Sequence, residues 1–120
     1  MRTFLLVTVL VVAALGAACG GGDDQPPEAT TADGSVDPVL AEGRQIFADN
    51  CATCHQPDGS GGRGPRINDG RVVENYPDPA DQIELVTNGR GGMPAFGERL
   101  GAEQIEAVVR YTREVLSGTS

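Results

Sequence analysis

Cys51-Ala52-Thr53-Cys54-His55 is the stretch of sequence that decides the fold. If these residues lie at the end of a helix, Cys54 and His55 follow Cys51 by three and four positions and share one helical face with it. Two thiols and one imidazole then project to the same side of the backbone. That side can form two covalent bonds and supply one nitrogen ligand to a metal.

The spacing C-x-x-C-H is the attachment sequence for a c-type haem. Each thiol can add to a vinyl group of the porphyrin as a thioether, while the imidazole of His55 reaches the iron. Three other interpretations explain less. A structural zinc site needs four N or S ligands, a thioredoxin-like pair needs a βαβ pattern, and a plain disulfide leaves His55 without a role. We therefore expect one covalent haem c at Cys51, Cys54 and His55.

Residues 1–18 have the pattern of a signal peptide. Arg2 precedes an apolar run from Phe4 to Leu15, which is typical of an export signal and shorter than the about 20 residues of a membrane-spanning helix. The segment ending at Cys19 resembles a bacterial lipobox, in which the cysteine is lipidated and becomes the mature N-terminus. Cleavage by an ordinary signal peptidase stays open. Lipidation would explain the third, odd cysteine and would anchor the protein to the outer face of the cytoplasmic membrane.

Residues 19–37 are predicted to be the lipidated Cys19 and a flexible acidic linker. This stretch is rich in Gly, Pro, Asp and Thr, and its few apolar groups cannot offset the entropy lost on ordering. Residues 20–37 would span at most about 60 Å.

Residues 38–120 form one small domain, and a domain of that size rarely builds a sufficient apolar core without a staple. A buried haem would supply the missing apolar mass.

The spacing of apolar residues predicts three helices and an all-α domain. The first and second begin with Asp37 and Asp78 as N-caps, each followed by a proline. No run alternates over enough residues to indicate a strand. The predicted helices are Pro38 to Cys51, Pro79 to Gly89, and Gly101 to Gly118.

From about Pro38 to Leu116 the chain carries four motifs in order: Gly43-x-x-x-Phe47-x-x-x-Cys51-x-x-Cys54-His55, then Gly64-Pro65, then Met93-Pro94-Ala95-Phe96, then a closing helix with Tyr111. This order resembles that of class I cytochrome c. The resemblance implies three main helices around one haem, with the first and last crossing closely. It places Gly43 at the contact, with Phe47 and Tyr111 packed there. It also places the carbonyl of Pro65 on the far ring nitrogen of His55, and it implies that haem is attached outside the cytoplasmic membrane. The chain departs from the family pattern in having no Trp for a haem propionate and no docking lysines.

Met93 is the candidate for the sixth iron ligand. Methionine often fills gaps in a core, but His55 is the single histidine, the chain has no lysine, and Met1 lies in the predicted signal peptide. Either Met93 binds the iron, as in the Met/His pairing of cytochromes c, or the iron keeps an open position. Glycine before Met93 and proline after it favour a close, stiff approach to the haem.

The acidic charge of the chain bears on its partners. A net charge of −8 either serves solubility or steers the protein toward basic docking patches, and it argues against nucleic acid. Arginines flank the haem motifs, and one could pair with a propionate. They are Arg63, Arg66, Arg71 and Arg90.

These features predict a monomeric electron carrier that passes one electron from a membrane-bound donor to an acceptor protein. It has no catalytic acid, base or nucleophile assigned to it, and therefore we expect neither an enzyme nor a small-molecule substrate. Two alternatives stay open. The chain could be the haem c subunit of a larger membrane oxidoreductase complex. It could also be a five-coordinate haem sensor or peroxidase, if Met93 does not ligate.

Overall fold

A computed structural model of the chain describes residues 24–31 and 33–118. The predicted signal peptide and Cys19 lie outside these residues. Within them the chain forms five α-helices and one π-helical turn, and two isolated bridges are the only β pairing. The all-α prediction is confirmed. The elements are α1 Pro38–Asn50, α2 Ala52–His55, α3 Arg71–Asn75, α4 Pro79–Asn88, α5 Ala102–Tyr111 and the π turn Thr112–Leu116.

The first and last helices cross closely at Gly43, as the resemblance implied. A Cβ on this glycine would fall on the carbonyl oxygen of Ala107 and lie 2.8 Å from the Cβ of Tyr111. The rings of Phe47 and Tyr111 fill the crossing, with their centroids 5.8 Å apart. A hydrogen at position 43 therefore lets the backbones approach, and two aromatic rings then exclude water from the contact.

Two helices have the N-cap residues that their sequences predict. Asp37 accepts hydrogen bonds from the backbone N–H groups of Val39 and Leu40, and Asp78 accepts one from Ala80. A carboxylate at an N-cap satisfies donors that have no partner inside the helix. These caps fix where α1 and α4 begin.

Three details of the helices differ from the prediction. The short helices α2 and α3 were not predicted, because four or five residues carry too little periodicity to recognise. The closing helix is α-helical only to Tyr111. Beyond it, the N–H of Ser117 donates to the carbonyl of Thr112 at 3.0 Å, a bond to the fifth preceding residue that defines a π turn.

The segment 26–29 packs against the domain. The hydroxyl of Tyr111 donates to the carbonyl of Pro27 at 2.6 Å, and Nε of Arg44 donates to the same carbonyl at 3.0 Å. Ala29 is 3% exposed. This differs from the flexible linker that composition predicted, because carbonyl groups and small apolar side chains make contacts that composition does not reveal.

The buried apolar side chains form two clusters. We call the one around α1 and α5 the crossing cluster: Ala29, Leu40, Ile46, Phe47, Ala107, Val108, Tyr111, Val115 and Leu116. We call the other the cavity cluster: Val86, Phe96, Ile105 and Val109. Helix α5 contributes to both. Among residues 24–31 and 33–118, no helix has the length and hydropathy to cross a membrane.

Candidate functional site

A cavity of about 790 Å³ lies beside the cavity cluster. Its size is in the range of cofactor sites, and its wall is mainly apolar. The cavity is lined by all four side chains that the sequence singled out as thioether or iron ligands: Cys51, Cys54, His55 and Met93. The apolar part of the lining is Phe47, Pro65, Ile67, Val72, Leu85, Val86, Pro94, Phe96, Val108 and Val109.

Helix α2 brings the two thiols and the imidazole together. The N–H groups of Cys54 and His55 both donate to the carbonyl of Cys51, at 3.1 and 3.0 Å. One helical turn thus holds the three side chains against the cavity. Neither cysteine forms a disulfide, and burial raises the pKa of the Cys51 thiol to about 11. That thiol is therefore uncharged at neutral pH.

The loop after α2 orients the His55 ring. Nδ1 of His55 lies 2.8 Å from the carbonyl oxygen of Pro65, and a carbonyl can only accept a hydrogen bond. Nδ1 must therefore carry the proton, which leaves the Nε2 lone pair free for a metal. Gly64 packs against the ring, since a Cβ there would lie 2.7 Å from Cε1 of His55.

A tight turn after α4 places Met93 in the wall of the cavity. Gly89 ends the helix with φ +70°, and a Cβ on it would lie 2.7 Å from the nitrogen of Ala95. Arg90 and Met93 then exchange two backbone hydrogen bonds of 3.0 Å each. Met93 is partly buried and packs against the cavity cluster. Its thioether thus shares the cavity with the imidazole of His55.

The donor set fits a haem. One imidazole nitrogen and one thioether sulfur share a large apolar cavity, and two thiols stand beside the imidazole, as covalent attachment requires. Among the described residues, no group of three or more His, Cys, Asp and Glu side chains is placed to bind a metal ion. The size and apolar wall of the cavity and the two adjacent thiols are what a covalently attached haem requires.

The mouth of the cavity is basic. The described residues that line the cavity include no Asp or Glu but five arginines: Arg63, Arg66, Arg71, Arg90 and Arg99. Tyr76 also lines the mouth and accepts a hydrogen bond of 3.0 Å from Nη1 of Arg90. The guanidinium groups here could form ion pairs with the haem propionates.

Sequence reasoning did not assign Arg99, Gln82 or Thr112 to the site. Arg99 stacks on the ring of Phe96, with its Cζ 4.6 Å from the ring centroid, and no motif marks it. Gln82 and Thr112 are buried in the cavity wall. A glutamine in an amphipathic helix is ordinarily assigned to the solvent side, and Thr112 is one member of an apolar stripe, so neither carries a signal.

Comparison with known proteins identifies the family of this chain. Residues 38–111 match the family described as cytochrome C oxidase, cbb3-type, subunit III. The chain is 39% identical over 85 residues to the cbb3-type cytochrome c oxidase subunit FixP of Azorhizobium caulinodans, covering 68% of this chain and 29% of that protein. It is 38% identical over 76 residues to chloroplastic cytochrome c6 of Chlamydomonas reinhardtii, covering 60% of this chain and 51% of the relative. The chain thus spans about half or less of these two relatives. With cytochrome c6 of Cladophora glomerata the identity is 35% over 77 residues, covering 61% of this chain and 85% of the relative.

Solved structures show the same fold. Cytochrome c6 from the diatom Phaeodactylum tricornutum has a TM-score of 0.54 and 34% identity, covering 62% of this chain and 90% of that one. Cytochrome c6C from Synechococcus sp. PCC 7002 has a TM-score of 0.54 and 32% identity, covering 63% and 95%. The chain therefore belongs to the family of cytochrome C oxidase, cbb3-type, subunit III, and is a class I monohaem c-type cytochrome that binds haem c covalently.

Proposed function

We propose that this chain is a one-electron carrier whose haem c has His55 and Met93 as its axial ligands. The observation that carries the proposal is the meeting of both side chains with Cys51 and Cys54 in one apolar cavity. When bound, the haem supplies exchange between the ferric and ferrous states. An imidazole and a thioether would fill both axial positions, so oxygen or peroxide would find no open site. We therefore infer a carrier rather than an enzyme.

The chain's own groups have distinct roles in this proposal. Cys51 and Cys54 bind the porphyrin, and the Pro65 carbonyl holds His55 in the tautomer that presents Nε2 and raises its basicity. Met93 supplies a sulfur ligand that favours the ferrous state and so raises the reduction potential. The arginines at the mouth would compensate the propionates.

Export and anchoring are part of the same proposal. Residues 1–18 would be removed, Cys19 would be lipidated, and the cytochrome domain would work outside the cytoplasmic membrane. Because segment 26–29 packs on the domain, only residues 20–25 would join it to the anchor. Six extended residues span at most about 20 Å. The carrier would thus stay close to the membrane surface, where a free 18-residue tether would have let it swing further.

The partners we propose are a membrane-bound electron donor and an acceptor protein. The acidic surface would favour basic docking patches, as the net charge of −8 suggests. The arginines at the cavity mouth modify that expectation locally. A partner surface that meets the mouth itself would be acidic.

The axial ligands can be tested by optical spectroscopy of the mature holoprotein. We expect a low-spin haem with the far-red sulfur–iron charge-transfer band. Met93→Leu should abolish that band and admit carbon monoxide, because leucine keeps the apolar volume and removes the sulfur. Leu85→Met is a matched control, since Leu85 also lines the cavity and the exchange conserves volume; the band should remain. Rapid carbon monoxide or cyanide binding by the wild type would contradict Met93 ligation and favour the sensor or peroxidase alternative.

A second candidate function is that of a haem subunit within a larger oxidoreductase. The match of residues 38–111 to a subunit III family and the similarity to FixP favour it. The two functions differ in assembly. Mild detergent extraction of native membranes, followed by purification of the haem protein, should yield a catalytic partner in a fixed ratio if the chain is a subunit. It should yield the cytochrome alone if the chain is a free carrier.

A further inference from the structure

Two buried polar side chains in the cavity wall have no role in the function proposed above. Gln82 of α4 is 5% exposed and Thr112 of the π turn is 7% exposed. Apart from Tyr111, they are the buried polar side chains of residues 24–31 and 33–118. Both line the cavity, beside Val86 and Val109. Because an amide in apolar surroundings costs free energy unless hydrogen bonds compensate it, this placement needs a reason.

Hydrogen bonds fix the orientation of the Gln82 amide. Nη1 of Arg113 donates to Oε1 of Gln82 at 3.2 Å, and Nε2 of Gln82 donates to Oγ1 of Thr112 at 2.9 Å. A guanidinium can only donate, so the amide oxygen must face Arg113. The amide nitrogen must then face Thr112, on the wall of the cavity. Nε2 carries a second hydrogen, and Gln82 itself lines the cavity.

The rest of the network leaves this amide little freedom to turn. Arg113 also donates to the carbonyls of Tyr76 and Pro77, at 2.7 and 3.2 Å. Thr112 uses its own hydrogen on the carbonyl of Val109 at 2.8 Å, which leaves its oxygen to accept from Gln82. The π turn thus places two consecutive residues at the two ends of one amide, and such turns are frequent at functional sites.

We propose that Gln82 directs the positive end of its amide dipole toward the haem and thereby raises the reduction potential of the iron. This rests on the proposed function, because it requires a haem in this cavity. The ferric state carries one positive charge more than the ferrous state, and a nearby N–H disfavours that extra charge. The interaction is strong in an apolar wall, where the local dielectric is low. The positive charge of Arg113 acts in the same direction.

An apolar residue at position 82 would have two opposing effects. Removing the amide makes the wall less polar, and this change disfavours the ferric state. Removing the fixed dipole has the opposite effect and favours the ferric state. We expect the dipole to dominate because Arg113 prevents the amide from turning its oxygen toward the iron. Gln82→Met should therefore lower the potential.

The test is a redox titration of the purified holoprotein monitored by absorbance. Gln82→Met should shift the equilibrium between the two oxidation states by about threefold to tenfold toward ferric, where tenfold is about 59 mV for one electron. The far-red sulfur–iron band should stay, since Met93 is untouched. Gln45→Met is the matched control, because Gln45 is exposed on α1 and bonds Asp49; its potential should equal that of the wild type.

A potential that stays equal to the control, or rises, would overturn the inference. Gln82→Met/Thr112→Val removes both polar groups and leaves an apolar contact, so it serves if the single variant does not hold haem. It should lower the potential in the same direction. A wild-type protein without the far-red band would refute the proposed ligation itself. An intact band with an unchanged potential in the variants would refute only the role of Gln82.

Discussion

The α1–α5 crossing and the cavity are two parts of one small domain that are packed in different ways. At the crossing, side chains meet side chains, and Phe47 and Tyr111 are fully buried. Around the cavity, Val86, Phe96 and Val109 of the cavity cluster line about 790 Å³ that the chain does not fill. The chain alone therefore completes the crossing except at Phe47 and Val108, which also line the cavity, whereas the cavity requires its haem. Helix α5 contributes to both parts. A substitution in one part therefore tests whether the two parts are independent of each other.

Preventing haem attachment should have the largest effect. In Cys51→Ala/Cys54→Ala the cavity loses the group that fills it. If only a tenth of its volume remained as an apolar void, the cost would be about 2 kcal/mol, against a total stability of about 5–15 kcal/mol for a typical domain. We expect circular dichroism to show loss of cooperative unfolding, with any remaining hydrogen-exchange protection confined to α1 and α5.

The wild-type chain made with the same haem-attachment apparatus is the control for that variant. A colourless protein with the helical content and cooperative melting of the holoprotein would contradict the comparison. It would mean that the cavity half can close on itself.

Gly43→Ala tests the crossing. The new methyl group would fall on the Ala107 carbonyl and lie 2.8 Å from Cβ of Tyr111, so the two helices must separate. Overpacking of this kind costs about 1–3 kcal/mol, and we expect the upper end, because backbone must move. Thermal unfolding of the holoprotein measures it. Gly101→Ala is the control, since a Cβ there meets only the Gln104 side chain at 3.8 Å. The optical spectrum of folded Gly43→Ala should match the wild type.

Gly64→Ala makes the same chemical change on the cavity side. Its Cβ would lie 2.7 Å from Cε1 and 2.9 Å from Nδ1 of His55, so the ring must shift away from the Pro65 carbonyl. We expect a stability loss of about 1 kcal/mol, with an altered optical spectrum and a changed reduction potential. Gly101→Ala is again the control, because Gly101 lies outside the cavity lining and a Cβ there meets only the Gln104 side chain at 3.8 Å. An unaltered spectrum in Gly64→Ala would show that the imidazole is not held by this loop.

Sequence was sufficient where the signal is local. The spacing of Cys51, Cys54 and His55 predicts their shared face, because one helical turn brings positions three and four apart together. The caps at Asp37 and Asp78 were predicted for the same reason, since the groups they bond lie two or three residues away. The all-α class followed from these helices.

Sequence was insufficient where a contact joins distant positions without a motif. The Gln82–Thr112 hydrogen bond spans 30 positions. It depends on a π turn that the residue types do not predict. The bond from Tyr111 to Pro27 spans 84 positions, and the composition around Pro27 is that of a linker. Packing in three dimensions decided both, so the polar wall of the cavity and the docked N-terminal segment became visible only in the structure.

The smallest expected effect concerns the ion pair at the edge of the crossing. Nη2 of Arg110 donates to Oδ2 of Asp37 at 3.0 Å, and this bond, together with the N–H of Val39, lowers the pKa of Asp37 below its ordinary value of 3.8. A carboxyl whose pKa is lowered by folding stabilises the folded state above its unfolded pKa, and that contribution is lost as the pH falls through the folded value. The helix crossing should therefore lose stability below about pH 4.

Asp37→Asn isolates that contribution, because asparagine is an equally good N-cap but cannot ionise. We expect the variant to show a shallower loss of melting temperature between pH 5 and pH 3 than the wild type. Asp78→Asn is the matched control on the cavity side, since Asp78 caps α4 and forms no ion pair among the described residues. If both variants reduce the loss of melting temperature between pH 5 and pH 3 equally, the effect belongs to helix caps in general. A difference confined to Asp37 ties the acid sensitivity to the crossing, the part of the domain that the chain completes without haem.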